Sequence, residues 1–185
     1  MRVISGKARG KKLISLEGIN TRPTLDRVKE ALFNIIQFKV EDMNILDLFA
    51  GSGALGIEAL SRGAKTATFC DNSHDAIQVI KTNIESTRNV ESSIVINKDY
   101  SLALNSLSKQ NKKFDIIFLD PPYKTDFGIK SLEAIIKLNI LAEEGIIVLE
   151  TDDEKKEQEI EDIKGLEVFD KRKYGKVMLI FIRKE

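Results

Sequence analysis

The chain has 185 residues, 42% hydrophobic and 31% charged, with zero formal net charge. These are the proportions of an ordinary globular domain, long enough to bury a full core. Cys70 and His74, each the sole residue of its type, exclude a disulfide framework and make a cysteine- or histidine-based metal site unexpected. No apolar run approaches the roughly 20 residues that cross a bilayer, and the basic N-terminus is unlike a secretion signal, so a cytoplasmic location is expected.

Charge is distributed unevenly. Residues 1–39 hold nine Lys or Arg against three acids, a net of +6, which leaves −6 for the remainder. Such asymmetry predicts a basic arm for a polyanion on a neutral-to-acidic body. The division expected is residues 1–43, a basic arm and a helix, followed by a core over 44–185. Arg2–Leu16 is short and punctuated by glycine, which predicts a small hairpin or irregular arm. Its residues 2–12 include few apolar side chains with which to anchor to a core. After it, Leu25, Val28, Leu32, Ile35 and Ile36 have amphipathic helical spacing, with Thr24 placed as N-cap and Asp26 in the first turn.

From Asn44 onward strands and helices alternate. Strand-like runs are Ile45–Phe49, Thr66–Cys70, Ser93–Asn97, Phe114–Leu119 and Ile146–Glu150. The helical segments are Ala54–Arg62, His74–Arg88, Leu102–Lys109, Ile129–Leu138 and Glu154–Ile163. This alternation predicts an α/β fold, a parallel sheet with helices on both faces. Leu166–Phe169 and Val177–Ile182 leave no room for a helix between them, which predicts a C-terminal antiparallel hairpin. Seven strands with one reversed resemble the Rossmann-like class I methyltransferase fold.

The loop Asp47-Leu-Phe-Ala-Gly51-Ser-Gly53-Ala-Leu-Gly56 follows the first core strand and opens a helix. Its glycines permit a tight turn and close approach of a ligand at a helix N-terminus. With Asp71 ending the next strand, the loop also matches the dinucleotide fingerprint of NAD enzymes. The run D-x-F-x-G-x-G, however, resembles methyltransferase motif I, in which the carboxylate of Asp47 helps to orient a cationic amino-acid end that NAD lacks. Asp99, after the third strand, stands where methyltransferases hold the adenine amino group, a place equally suited to a helix N-cap.

Asp120-Pro121-Pro122-Tyr123 ends the fourth strand at the sheet edge where α/β folds bind ligands. Neither proline has an N–H, so the loop offers acceptors, the Asp120 carboxylate and the Pro121 carbonyl. Acceptors suit a nucleobase amino group, whose lone pair is delocalised and whose proton must be removed as a new bond forms. Tyr123 supplies a face for a base taken out of its stack. The motif resembles motif IV of amino-group methyltransferases, which modify adenine N6, cytosine N4, guanine N2 or a glutamine amide.

From end to end the chain resembles the RsmD-type 16S rRNA guanine-N2 methyltransferases. The resemblance rests on Arg2-Val-Ile-Ser-Gly-Lys-Ala-Arg-Gly-Lys-Lys-Leu13, on Thr21-Arg-Pro-Thr-Leu-Asp-Arg-Val-Lys-Glu30 and its continuation, on Asp47–Gly56 and on Asp120–Tyr123. It implies S-adenosyl-L-methionine as cofactor, held by Asp47, Gly51, Gly53, Gly56, Asp71 and Asp99, with no metal. It implies catalysis by Asp120, Pro121 and Tyr123, and a monomer acting on 16S rRNA in the small (30S) ribosomal subunit. The RNA contacts are then Arg2, Lys7, Arg9, Lys11, Lys12, Arg22, Thr24 and Arg27. Asp71 stands where relatives often carry Glu, and Tyr174-Gly175-Lys176-Val177 departs from the family's hairpin. An adenine-N6 or other nucleic-acid amino-group methyltransferase is the alternative, and an NAD-dependent oxidoreductase a distant one.

Overall fold

The computed structural model describes residues 1–16 and 23–185. Helix α1 spans Pro23–Ile35, and the core continues as β1 (Asn44–Asp47), α2 (Ala54–Ser61), β2 (Thr66–Asp71), α3 (His74–Ser86) and β3 (Ser93–Asn97). Then come α4 (Tyr100–Lys109), β4 (Phe114–Leu119), α5 (Phe127–Lys137), β5 (Leu141–Thr151), α6 (Lys156–Glu161), β6 (Leu166–Tyr174) and β7 (Val177–Lys184). The sheet order is β3-β2-β1-β4-β5-β7-β6. Strands β1 to β5 pair in parallel, whereas β7 runs antiparallel between β5 and β6. This is the class I methyltransferase fold.

Alternating side chains divide the core between the two sheet faces. Ile45, Phe69, Phe118, Val148 and Phe181 face α1, α2 and α3, while Leu46, Cys70, Leu119, Leu149 and Ile180 face α4, α5 and α6. Phe33 of α1 packs on Phe118, with ring centroids 5.6 Å apart.

Three expectations are corrected. The α1 helix begins at Pro23, so Thr24 is its second residue and not its N-cap; proline suits a first helical position because the missing N–H would be unpaired there anyway. The terminal hairpin is tighter than expected. Strand β6 continues through a bulge near Phe169, pairs Tyr174 with Val177 and leaves a two-residue turn in which Gly175 takes φ 64°.

The third correction concerns the arm, which is anchored. Arg2 and Lys12 form an antiparallel bridge that turns Val3 and Leu13 into the α1-side core, 1% and 6% exposed. Backbone groups do most of the fastening. The amides of Ile4 and Ser5 donate to the buried Glu58 carboxylate at 2.8 and 3.1 Å. Lys29, from the Arg22–Glu30 motif, and Arg62 complete that carboxylate's surroundings at 3.3 and 2.8 Å. Lys29 also donates to the Arg2 carbonyl at 2.6 Å. Gly6 sits so close to α2 that a β-carbon there would lie 1.8 Å from the Ser61 carbonyl oxygen.

Candidate active site

The sheet alternation brings four acids to one rim. Asp47 pairs with Phe69 and Phe118, and Asp71 follows Phe69 by two positions, so both share the α1-side face. Leu119 and Leu149 are register partners on the other face, so the next residues, Asp120 and Glu150, return to the first. All four stand at the carboxyl ends of their strands and line a cleft of about 610 Å³. Asp99 and an apolar wall of Phe49, Tyr100 and Phe127 complete one side. Their rings pack 5.6 Å and 5.3 Å apart.

The glycine loop behaves as three separate devices. Gly51, at φ 55°, lines the cleft and donates its N–H to Asp71 Oδ2 at 2.9 Å. Gly53, at φ 78°, is the left-handed N-cap of α2. Gly56 donates to Asp47 Oδ2 at 3.0 Å and lies where a β-carbon would be 2.3 Å from the Phe69 ring. Gly53 and Gly56 are buried behind the cleft wall, so they shape the site without lining it.

Asp71 is pinned by the Gly51 amide and by the Ser73 amide, 2.9 Å from Oδ1. Asp99 caps α4, accepting from the Ser101 amide at 2.9 Å, and also lines the cleft. Ser73 caps α3 and His74 is exposed on its first turn. Cys70 is buried on the other side of the sheet, where burial pushes its thiol up to about 12.

Five carboxylates and two lysines, Lys29 and Lys98, line the cleft among the described residues, and Lys29 is already paired with Glu58. That excess has a cost in the free protein. Burial pushes Asp47 up to about 7, against the Gly56 hydrogen bond and with help from the Asp71 charge. Asp120 is open to solvent through the cleft, yet it is crowded by protein. Burial, then Glu150, then Asp47 hold its carboxyl well above the usual range. A cation in the cleft would relieve all of these carboxylates. The site therefore suits the sulfonium and ammonium groups of S-adenosylmethionine and opposes the diphosphate of NAD.

Pro121 is buried, whereas Tyr123 is 44% exposed and donates its hydroxyl to Glu150 Oε1 at 3.0 Å. Burial and the neighbouring Glu150 and Asp120 charges raise its phenol, keeping it protonated. Glu150 is the residue that sequence reasoning missed. The signal was its place at the end of a strand, on the edge that also carries Asp47, Asp71 and Asp120. Arg2, Lys7, Arg9, Lys11, Lys12 and Arg27 are all exposed. Arg22 and the side chain of Thr24 lie outside the described residues. Met1 from the arm and Val28 and Leu32 from α1 line the cleft, so the basic segment borders it.

A parallel sheet ending in a reversed hairpin, with an acid-rimmed cleft at the glycine loop, defines the chain as a class I methyltransferase by fold. It belongs to the family described as Conserved hypothetical protein 95, whose model matches residues 1–183. It is 44% identical over 154 residues, 83% of this chain and 84% of the other, to YlbH of Bacillus subtilis, named as a candidate rRNA methyltransferase. It is 37% identical over 156 residues to ribosomal RNA small subunit methyltransferase D of Haemophilus influenzae, covering 84% of this chain and 80% of that one. The solved structure of yhhF from Escherichia coli, itself named a candidate methyltransferase, superposes with TM-score 0.83 at 30% identity, over 100% of this chain and 98% of that one.

Proposed function

We propose that this protein methylates the N2 amino group of a guanine in small-subunit ribosomal RNA, using S-adenosylmethionine, on the assembled or assembling subunit. The coarser part, rRNA methylation, is supported by the names of its relatives. The observation that carries the choice of an amino group is the Asp120–Tyr123 loop, set at the end of β4 and opening into the cleft.

In this reading Asp47, Gly51, Asp71 and Asp99 hold the cofactor, which supplies an electrophilic methyl group. Asp120 and the Pro121 carbonyl accept the two hydrogens of the target amine and turn its lone pair towards that methyl. With the methyl group passing from the cofactor to the nitrogen, Asp120 would take the proton that the amine gives up. The cofactor's positive charge makes the ionised form of Asp120 accessible in the loaded site. Tyr123 stacks on the extracted base.

The arm and α1, residues 1–43, would meet the RNA through Arg2, Lys7, Arg9, Lys11, Lys12, Arg22, Thr24 and Arg27. Phosphate contacts of this kind position a protein without reading sequence. The remaining residues, 44–185, carry the chemistry. Mass-spectrometric mapping of methylated rRNA nucleosides, with and without this protein, tests the whole reading. The expected result is one N2-methylguanine gained on the small subunit; a methylated adenine there would replace the guanine reading.

A further inference from the structure

Glu150 is an expensive residue in its position. It comes from β5, neighbours Asp120 across the β4–β5 register, and lines the same cleft. Adjacent strands run about 4.8 Å apart, so two carboxyl groups are set side by side on one rim. Among the described residues no cation pairs with Glu150; its hydrogen-bond partner is the Tyr123 hydroxyl at Oε1. Burial raises its carboxyl, and its charge in turn raises Asp120. A neutral side chain would spare the fold this repulsion.

We propose that Glu150 is a specificity-determining residue that accepts the N1–H of guanine beside the grip of Asp120 on the N2 amine. The inference rests on the guanine-N2 reading above and assigns the residue that tells guanine from the other amino bases. Guanine presents N1–H next to its exocyclic amine, two kinds of donor in a row. Adenine and cytosine place a ring-nitrogen lone pair beside theirs. Two neighbouring carboxylates therefore match guanine and repel the other two amino bases. Tyr123 holds one oxygen of Glu150 and leaves the other for the base.

The test removes the N1 donor from the base and, separately, the carboxylate from residue 150. Once the methylated position has been mapped, small subunits are reconstituted with guanine or 2-aminopurine there. 2-Aminopurine keeps the N2 amine but has a lone pair at N1 and no O6, so the Glu150→Gln comparison isolates the share of the preference that Glu150 carries. The wild-type enzyme should prefer guanine by at least about 100-fold in kcat/KM, since sites built to bind a donor strongly reject analogues lacking it. Glu150→Gln keeps an acceptor for Tyr123 and offers an amide N–H to N1, so it should shrink that preference at least about tenfold. Tyr123→Phe should slow both substrates and leave the ratio unchanged.

A wild-type enzyme that methylates both bases equally overturns the proposal, whether or not the Gln variant folds. So does a Glu150→Gln enzyme that is slower but keeps the full preference, because Glu150 would then only hold Tyr123. Mapping that finds a methylated adenine instead removes the guanine reading itself, a result separable from both.

Discussion

Asn83 clasps the backbone of Ile14 with both ends of its side-chain amide, accepting from Ile14 N–H at 2.8 Å and donating to Ile14 C=O at 2.9 Å. The same Nδ2 donates to the carbonyl of Ser52 in the glycine loop at 2.9 Å. One fully buried residue of α3 thus ties the arm to the loop that borders the cofactor site.

Cutting this tie should therefore be felt at the cofactor. Asn83→Ala leaves the Ile14 amide and two carbonyls short of partners, and should lower stability by about 2–3 kcal/mol. Deleting residues 2–12 should act in the same direction, through Val3 and Glu58 as well. Calorimetry with S-adenosylhomocysteine, paired with thermal unfolding, should show affinity and melting temperature falling together. Full affinity in a destabilised Asn83→Ala protein would mean that the arm and the loop are independent.

Charge and anchoring can be separated on the arm. Lys7, Arg9 and Lys11 are exposed, so replacing all three by Ala should spare the fold. If each meets a phosphate, the salt exponent of subunit binding should drop by about 0.7–0.9 per contact, about two in all. An unchanged slope with unchanged methylation would leave these residues as plain surface.

Asp120→Asn should nearly abolish turnover while S-adenosylhomocysteine still binds. The substitution removes the proton acceptor, and losing one preorganised catalytic contact costs about 3–4 kcal/mol. Substantial turnover in single-turnover assays would take the proton elsewhere.

Asp47 gives the site a pH dependence with a definite sign. Its carboxyl is raised to about 7 in the folded, cofactor-free protein. The folded state therefore holds a proton that the unfolded chain gives up near the usual Asp value. The stabilisation is fully present below that lower value and is lost as pH rises through about 7, so the free protein should melt at lower temperature at pH 8 than at pH 6. Cofactor affinity should move the opposite way, because the cation needs the ionised form, and should weaken up to about tenfold per pH unit below 7. Asp47→Asn should flatten both profiles and weaken binding. A cofactor affinity flat from pH 6 to 8 in the native protein would remove Asp47 from recognition of the cation.

Tyr123→Phe should be milder than Tyr123→Ala, since the ring face remains and stacking contributes roughly 1–3 kcal/mol per base. The hydroxyl still matters through Glu150, so the Phe variant should lose several-fold in kcat. Equal damage from Phe and Ala would make the hydroxyl the dominant group.

Much of this architecture was legible because it is local. Short apolar runs mark the strands, and Asp47–Gly56 and Asp120–Tyr123 are continuous segments that carry their own geometry. What stayed hidden depends on contacts across the sequence. Val3 and Leu13 look isolated until the Arg2–Lys12 bridge turns both inward. Gly56 reads as a ligand-approach glycine, but the group filling the space beside it is the Phe69 ring, from strand β2. Glu150 belongs to a run whose alternation says only that it differs from Leu149. Its meaning comes from β4, next door.

The placement of β7 also bears on how the enzyme comes into being. Strand β5 pairs with β7, and among the described residues β6 is joined to the sheet only through β7. During synthesis β5 must wait with one edge open, and β6 has no strand to join, until residues 177–184 have left the ribosome. Glu150, opposite Leu179, gains its second strand neighbour only then. A nascent chain halted before β7 would carry every motif residue of the site and still lack a closed sheet beneath it, so competence to methylate should switch on late and abruptly as the last strand slides into its slot.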